Sequence, residues 1–179
     1  MVGCVEIIAM SILSVIIPTR NRVSFLQKAI HSILSQSLDA SKYEIVVVDN
    51  GSTDTTKATV SKLMAEVPKN LRYCYAAEPG LHVGRHLGAF EAKGDVLVYV
   101  DDDIVASDGW LESIWNAFQD EGVALVGGRI LPEWEAAPPA WLEYFTSKNE
   151  YGWWLGSLSL LDFGSERRTI QPEFVYGCN

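Results

Sequence analysis

The sequence has little positive charge. Its 179 residues include 14 Lys and Arg against 23 Asp and Glu, which gives a formal net charge of −9 at pH 7. A protein that binds nucleic acid without sequence preference needs a basic surface to neutralise phosphates, and no basic stripe occurs here. We therefore exclude nonspecific nucleic-acid binding, and an anionic ligand would need local help from a metal ion, an arginine or backbone N–H groups.

Two further absences bear on the compartment. Cys4, Cys74 and Cys178 are odd in number and match no metal-ligand spacing, a pattern typical of free thiols in a reducing compartment. The apolar segment 1–17 lacks the basic region and the cleavage-like end of a signal peptide, and it contains Glu6. We predict neither a signal peptide nor an anchor, and we interpret residues 1–10 as a loose N-terminal extension.

The chain also lacks the glycine-rich loops that bind phosphates in two common enzyme classes. It has neither the Gly-x-Gly-x-x-Gly of a dinucleotide-binding dehydrogenase nor the Gly-Lys-Ser/Thr of a P-loop enzyme. The segment after the first apolar run, Pro18-Thr19-Arg20-Asn21-Arg22, has no glycine. A nucleotidyltransferase should carry a Gly-rich, basic loop there, so this class is disfavoured too.

Strand-like runs alternate with amphipathic helical segments in a composition that is ordinary for a globular protein, with 48% hydrophobic and 21% charged residues. The predicted strands are 11–18, 43–48, 71–75, 96–100 and 123–130. The predicted helices are 23–36, one capped by 52–54 that reaches about 67, 83–93, and one opened by 107–109 that runs through 118. This alternation predicts an α/β fold with a mostly parallel sheet sandwiched by helices.

Three consecutive aspartates, Asp101, Asp102 and Asp103, directly follow the apolar run 96–100. Open α/β sheets bind ligands at the carboxyl ends of such strands. Adjacent carboxylates repel one another unless a cation or donors hold them ionised, and a hard divalent ion with oxygen ligands is a natural partner. A metal or ligand site is the favoured interpretation, and the alternative is a solvated acidic turn before the next helix.

Polar segments also follow the first two predicted strands. Pro-Thr-Arg-Asn occupies 18–21, and Asp-Asn-Gly-Ser occupies 49–52. Alone, the first is a strand terminator and the second a turn with a helix cap. Because the carboxyl ends of parallel strands meet at one edge of a sheet, we expect both segments and the aspartates to outline a single crevice.

In order and spacing, four segments together resemble the family 2 glycosyltransferases: 15–22, 47–54, 80–88 and 94–103. The resemblance covers nearly the whole chain from Ser11, and its motifs are individually modest and jointly specific. It implies a GT-A fold, a nucleotide-diphosphate sugar as donor, a divalent cation (Mn²⁺ or Mg²⁺), and inversion at the anomeric carbon.

The same resemblance implies a role for each residue of the donor site. Asp49 resembles the carboxylate that accepts a hydrogen bond from the base, and Asp103 resembles the metal ligand. Asp101 and Asp102 resemble the part of the DXD motif that faces the ribose and diphosphate. The remaining residues wall the nucleotide pocket, support the turn beside it or complete the donor site: Pro18, Thr19, Arg20, Asn50, Ser52 and Arg85.

The chain departs from the family pattern at His86, where relatives often have Asn. A histidine at a helix start is more often a surface residue than a catalyst, and its role stays open. His31 and His82 receive the same interpretation.

A larger departure concerns the acceptor side. The last four residues, Tyr176 to Asn179, resemble the Gly-Ala-Asn that opens this side in relatives. The resemblance therefore implies that the catalytic base, which deprotonates the acceptor hydroxyl, lies beyond Asn179. Asp162, Glu166 and Glu173 lie in the acceptor-side region, but their spacing matches no catalytic pattern, so the base is unassigned.

These considerations give a division into parts. We interpret 11–131 as the nucleotide-sugar-binding GT-A domain and 132–179 as the start of a truncated acceptor-side region. The acceptor-side region is rich in aromatic residues, whose faces stack on sugar rings, but packing against the sheet or against a further segment is the preferred interpretation. The residues are Trp134, Trp141, Tyr144, Phe145, Tyr151, Trp153 and Trp154.

The resemblance thus implies a glycosyltransferase of cell-surface polysaccharide or glycolipid synthesis, with a nucleotide-diphosphate sugar and a carbohydrate or glycolipid acceptor as partners. It further implies a cytoplasmic location, with peripheral association of the full-length protein with the inner face of the membrane. The alternative is a truncated donor-binding fragment that holds nucleotide-sugar and metal without completing transfer. Turnover separates the two interpretations.

Overall fold

A computed structural model describes residues 12–67 and 70–170. The chain divides into two compact units, the first ending at Ala124 and the second beginning at Leu125. The described residues form a four-stranded sheet in the first unit and a three-stranded sheet in the second.

Some interpretations of the sequence lie outside the described residues. They concern the extension 1–10, Cys4, Cys178, Glu173, the similarity of Tyr176 to Asn179 to an acceptor-side motif, and the catalytic base expected beyond Asn179. All of them stay predictions.

The first unit is an alternation of strands and helices around a parallel sheet, which confirms the predicted fold class. The strand order is β3-β2-β1-β4, and every pair is parallel. The elements are β1 (Leu13–Thr19), α1 (Val23–Leu34), β2 (Tyr43–Asp49), α2 (Thr56–Glu66), β3 (Leu71–Tyr75), α3 (Leu81–Glu91), β4 (Val96–Tyr99) and α4 (Trp110–Ala117).

The central strands β1 and β2 are buried along their whole length because helices cover both faces of the sheet. Leu13, Val15 and Ile17 of β1 belong to a core cluster with side chains of α1, α2 and α4. Ile16 points to the opposite face and joins a smaller cluster that α3 covers. Each such aliphatic side chain contributes about 1.5 to 3 kcal/mol when fully buried, which explains why the apolar runs specify these strands.

Helix α3 approaches the sheet closely through two glycines one turn apart. A Cβ atom on Gly88 would overlap Ile16 Cγ2, and one on Gly84 would lie 3.0 Å from both Asn50 Nδ2 and Pro18 Cβ. The absence of side chains on this stripe lets the start of α3 lie against the carboxyl ends of β1 and β2. The helix begins at Leu81 rather than at the predicted residue 83.

The second unit contains a small antiparallel sheet that the sequence did not predict. Its strands are β5 (Ser147–Asn149), β6 (Gly152–Leu155) and β7 (Leu160–Asp162), in the order β5-β6-β7. The predicted strand over 123–130 is wrong, because in this run only Ile130 pairs, as an isolated bridge to Leu161. The run contains Gly127 and Gly128 and none of its residues is fully buried, so it lacks the cover that its apolar character suggested.

Within the described part of the chain, no helix combines the length and apolar character needed to cross a membrane.

A buried carboxylate ties the amino-terminal edge of the sheet to the end of α3. Glu44 Oε1 accepts hydrogen bonds from Ser14 Oγ and from the Lys93 N–H, both at 2.7 Å, and Oε2 accepts from Arg72 at 3.1 Å. Arg72 also donates to the Glu91 carbonyl. Burial by itself would raise the pKa of Glu44, but these donors outweigh it and hold the pKa below its ordinary value.

We predict that Glu44→Gln lowers the free energy of unfolding at pH 7 by about 1 to 3 kcal/mol, because an amide N–H₂ then faces a partly buried guanidinium. Because the folded-state pKa of Glu44 is depressed, its contribution is present above the unfolded-state pKa of about 4.3 and is lost as the pH falls through the folded-state value. Urea unfolding at several pH values checks this.

Glu66→Gln, an exposed position on α2, is the matched control and should change stability little at any pH. A stability gap between Glu44→Gln and the original chain that stays constant from pH 7 to about pH 3 would contradict the assigned ionic role.

Candidate functional site

The carboxyl ends of β1 and β4 lie side by side because the two strands pair in parallel, with Ile16 beside Tyr99. This pairing brings Thr19 to the aspartates that follow β4. Thr19 Oγ1 donates to Asp102 Oδ2 at 2.6 Å, and the two residues are only 3% and 4% exposed. The most buried of the three carboxylates is thus anchored by a hydroxyl from the neighbouring strand.

Arg22 bridges two of the aspartates. Its Nη1 lies 2.9 Å from Asp102 Oδ1, and its Nη2 lies 2.8 Å from Asp103 Oδ2. The guanidinium also lies over the ring of Phe25, 5.0 Å from the centroid. The sequence analysis gave Arg22 no role. Its position shortly after an apolar strand could have indicated it as a partner for the acidic cluster that follows another strand.

The remaining aspartate, Asp101, has a basic partner on helix α3. Arg85 Nη2, on α3, lies 3.2 Å from Asp101 Oδ1. Burial raises the pKa of Asp101, and Arg85 opposes that rise without cancelling it. Burial likewise raises the pKa of Asp102, against the opposing effects of Thr19 and Arg22. Two guanidinium groups thus pair with the three carboxylates, and a third arginine of the pocket, Arg20, makes no ion pair with the described residues.

An open pocket of about 390 Å³ lies between these groups in the first unit. Most of the residues predicted for the donor site line it, and Arg22, Gly80 and Leu81 complete the wall. The lining residues are Pro18, Thr19, Arg20, Arg22, Asn50, Gly80, Leu81, Asp101, Asp102 and Asp103.

Asn50, one of the residues that line this pocket, carries a buried acceptor without a partner. It is 5% exposed, and its Nδ2 donates to the Gly80 carbonyl. Its Oδ1 has no hydrogen-bond partner among the residues the structure describes. Buried acceptors are nearly always paired, so this oxygen indicates a place for a donor group of a ligand.

Asp49, Ser52 and Arg85 were predicted for the donor site but do not line this pocket. Asp49 is buried, and its Oδ1 accepts from the Ser52 N–H at 2.8 Å while its Oδ2 accepts from the Tyr73 hydroxyl at 2.7 Å. Burial, together with this carboxylate, raises the pKa of Tyr73 well above its ordinary value. The contacts show a carboxylate that shapes the turn, and its predicted contact with a base stays a prediction.

Asn21 fastens two loops of the site together, a role that sequence analysis missed. Its Oδ1 accepts from the Thr53 N–H at 2.7 Å and from the Asp54 N–H at 3.3 Å, while its own N–H donates to Ser52 Oγ. The residue adopts a φ of 55°, a left-handed conformation that Asn tolerates better than most residues. An Asn two residues after the end of β1 was the available signal.

Two acidic residues that the sequence offered on the acceptor side, Asp162 and Glu166, each pair with an arginine of the second unit. Arg129 donates to both carboxylate oxygens of Asp162, at 2.8 and 3.0 Å, and holds its pKa below the ordinary value. Glu166 is paired with Arg168 at 3.4 Å and is largely exposed. A carboxylate held by a guanidinium on both oxygens is a weak proton acceptor, so the structure gives no reason to choose Asp162 as a catalytic base. A base beyond Asn179 stays a prediction that the described residues do not test.

The remaining candidates lie at the surface. His31, His82 and His86 are exposed, as their interpretation as surface residues anticipated. Tyr144 and Phe145 of the aromatic stretch are 88% and 62% exposed, whereas Trp154 packs edge-on against Phe163.

The described residues contain no group of three or more His, Cys, Asp or Glu side chains that could hold a metal ion alone. Asp103, however, is partly exposed and has one ion pair. Magnesium-like ions in nucleotide sites are commonly bound by one or two carboxylates and completed by phosphate oxygens and water. The donor set at Asp103 therefore fits a cation that arrives with a phosphorylated ligand.

An open parallel sheet with an acidic cluster and a polar pocket at its carboxyl edge defines a class of α/β ligand-binding domains to which the GT-A glycosyltransferases belong. The chain belongs to the family 2 glycosyltransferases, because the family model described as "Glycosyl transferase family 2" matches its residues 14–165.

Three similar proteins illustrate the relationship. The chain is 36% identical over 118 residues to the glycosyltransferase AglE of Haloferax volcanii, covering 65% of this chain and 38% of AglE. It is 35% identical over 128 residues to the GalNAc(5)-diNAcBac-PP-undecaprenol beta-1,3-glucosyltransferase of Campylobacter jejuni, covering 69% of this chain and 39% of that enzyme. The chain thus spans less than half the length of these relatives.

The third is a solved structure that shares the fold. The mannosyltransferase PcManGT from Pyrobaculum calidifontis, in complex with GDP-Man and Mn²⁺, superposes with a TM-score of 0.57 at 26% identity, over 66% of this chain and 34% of that one.

The position of Asp49 generates a stability prediction. Asp49→Asn replaces one of two buried acceptor oxygens by a donor, so either the Ser52 N–H or the Tyr73 hydroxyl loses its partner. We expect the free energy of unfolding to fall by about 1 to 3 kcal/mol, measured by urea denaturation. Asp108→Asn, at an exposed position, is the control. Unchanged stability in Asp49→Asn would mean that the two hydrogen bonds do not hold the turn.

Proposed function

We propose that the first unit binds a nucleotide-diphosphate sugar together with a divalent cation, and that the protein transfers the sugar to an acceptor hydroxyl with inversion at the anomeric carbon. The observation that carries the proposal is the acidic cluster at the end of β4, which borders an open pocket and is only partly neutralised by Arg22 and Arg85. Family membership and the GDP-Man and Mn²⁺ bound by PcManGT support it.

The donor's negative charge is the main obstacle to binding in an acidic protein. Arg20 lines the pocket, is exposed, and makes no ion pair with the residues the structure describes, so it is available to a diphosphate. Asp103 would hold the cation, with Asp101 and Asp102 beside it. When bound, such a cation supplies charge neutralisation on the departing diphosphate.

The uncharged part of the donor needs hydrogen-bonding partners. Asn50 lines the pocket and its Oδ1 is unpaired, so we assign this oxygen to a ribose hydroxyl or a base N–H of the donor. Pro18 and Thr19 form the wall, and Thr19 also fixes the orientation of Asp102. Each Asp49 oxygen accepts one hydrogen bond and could accept a second, but the residue is 1% exposed, so a direct contact with the base would require the residues that cover Asp49 to move.

We assign the acceptor side to the region from 132 onward. The name of the Campylobacter jejuni relative indicates an undecaprenol-linked glycan acceptor for that enzyme, which supports a carbohydrate or glycolipid acceptor here. A lipid-linked acceptor would place the full-length protein at the inner face of the membrane. The exposed aromatic rings Trp134 and Trp141 offer stacking surfaces for sugar rings.

The proposal is tested by calorimetric titration with UDP, GDP and dTDP sugars, each with and without Mn²⁺, followed by a search for sugar transfer and donor hydrolysis. We expect one nucleotide class to bind with a requirement for the metal. Binding without transfer or hydrolysis would support the donor-binding alternative, and no binding of any donor would contradict the proposal.

We predict that Asp103→Ala abolishes the metal-dependent part of nucleotide binding, because it removes the proposed ligand of the cation. The fold should be kept, because the change removes one of three mutually repelling charges. Asp108→Ala removes the same charge from an exposed position outside the pocket and should bind nucleotide like the original chain. Titration with the preferred nucleoside diphosphate and Mn²⁺ is the measurement. Undiminished affinity in Asp103→Ala would show that another group holds the cation.

A further inference from the structure

Arg22 occupies the space between the two aspartates nearest the proposed cation position. Its two terminal nitrogens bond to different carboxylates, Asp102 at 2.9 Å and Asp103 at 2.8 Å. A positive charge that bridges two carboxylates is the electrostatic equivalent of the cation that an acidic cluster of this kind attracts. The side chain thus neutralises the cluster from within the protein.

The two contacts of Arg22 differ in strength. The Asp102 side chain is 6% exposed, and its second oxygen is held by Thr19, so this carboxylate is fixed and desolvated. The Asp103 side chain is 43% exposed. An ion pair with an exposed partner contributes little and exchanges readily, whereas a pair with a buried partner is costly to break. Arg22 can therefore release Asp103 and keep Asp102.

Its surroundings keep Arg22 in place during such an exchange. The ring of Phe25 supports the guanidinium from one side. Arg22 also lies directly before α1, and its carbonyl accepts from the N–H groups of Phe25 and Leu26. Arg22 also lines the pocket that would hold the donor diphosphate. A phosphate oxygen is a good replacement for the carboxylate of Asp103, because guanidinium binds both groups with the same geometry.

We propose that Arg22 is an exchangeable counter-cation that couples metal binding to donor binding. Without nucleotide, Arg22 competes with a free divalent cation for Asp103. When metal and nucleoside diphosphate bind together, Arg22 transfers that contact to the diphosphate and leaves Asp103 to the metal. The inference rests on the proposed function and assigns to Arg22 a positioning role that sets how strongly metal and nucleotide favour each other's binding.

The coupling has a measurable consequence. Free metal must break the contact between Arg22 and Asp103, whereas metal that binds with a nucleotide lets Arg22 move to the diphosphate. The affinity for Mn²⁺ should therefore be weak without nucleotide and should rise when nucleotide is present. By linkage, the nucleotide affinity rises with Mn²⁺ by the same factor. Removal of Arg22 should strengthen the binding of free Mn²⁺, a gain that damage to the fold would not produce.

The test is Mn²⁺ binding by electron paramagnetic resonance with and without a saturating nucleoside diphosphate, UDP or GDP, in the complete chain. Arg22→Gln should raise the affinity for Mn²⁺ alone by about threefold to tenfold, the range expected for loss of one competing ion pair, and should lower the coupling factor. Arg22→Lys keeps the charge but cannot bridge both carboxylates, so its affinity for Mn²⁺ alone should lie between those of the original chain and Arg22→Gln.

Arg20→Gln is the matched control, because it removes the same charge from the same pocket without removing an ion pair to the aspartates. It should leave the affinity for free Mn²⁺ within about twofold of the original chain. Equal gains in Arg20→Gln and Arg22→Gln, or no gain in Arg22→Gln, would overturn the role of Arg22 while the proposed function stands. Absence of Mn²⁺ binding to the original chain, even with nucleotide, would overturn both.

Discussion

The need to stabilise three adjacent carboxylates at the end of the edge strand β4 organises the candidate site of this structure. Asp101, Asp102 and Asp103 follow β4, which pairs with the central strand β1 and cannot move away from it. Each carboxylate meets a different environment. Asp101 pairs with an arginine from α3, Asp102 with a threonine and the arginine after β1, and Asp103 with that same arginine while 43% of its side chain stays exposed. Charges that would destabilise an isolated loop are thus stabilised here, and the three carboxylates differ in burial and in partner.

The fold supplies these partners through close packing and through hydrogen bonds between loops. Gly84 and Gly88 allow α3 to lie against the sheet, which carries Arg85 to Asp101. Asn21 fastens the loop after β1 to the loop after β2, and Asp54 accepts from the Val23 N–H at the start of α1. Because Arg22 lies between these two contacts, its position is set by backbone geometry as much as by its own ion pairs.

Much of the first unit could be predicted from the sequence because its strands are short apolar runs and its helices have one apolar face. The polar residues after β1, β2 and β4 could be placed at one edge for the same reason. The family resemblance placed Thr19 and Arg85 in the same site as the aspartates, but the pairing of each aspartate with its own partner could not be predicted, since the partners come from other parts of the chain. Charge complementarity between loops follows no periodic pattern along the sequence.

The wrong predictions have physical causes as well. Residues 123–130 have the composition of a strand, but composition does not show whether a partner strand lies alongside, and only Ile130 is paired. The small sheet of the second unit was missed because strands such as Ser147–Asn149 are too short and too exposed for alternation to appear.

The central claim is that the strand-end carboxylates and their arginines form a site for a cation and a nucleoside diphosphate. Its most direct test is the anomalous diffraction signal of Mn²⁺ in crystals of this chain grown with Mn²⁺ and a nucleoside diphosphate. The account predicts one strong peak within coordination distance of Asp103, with diphosphate oxygens completing the ligand set and Asn50 Oδ1 paired with the nucleoside. A Mn²⁺ peak away from Asp103, or nucleotide bound elsewhere on the chain, would contradict it.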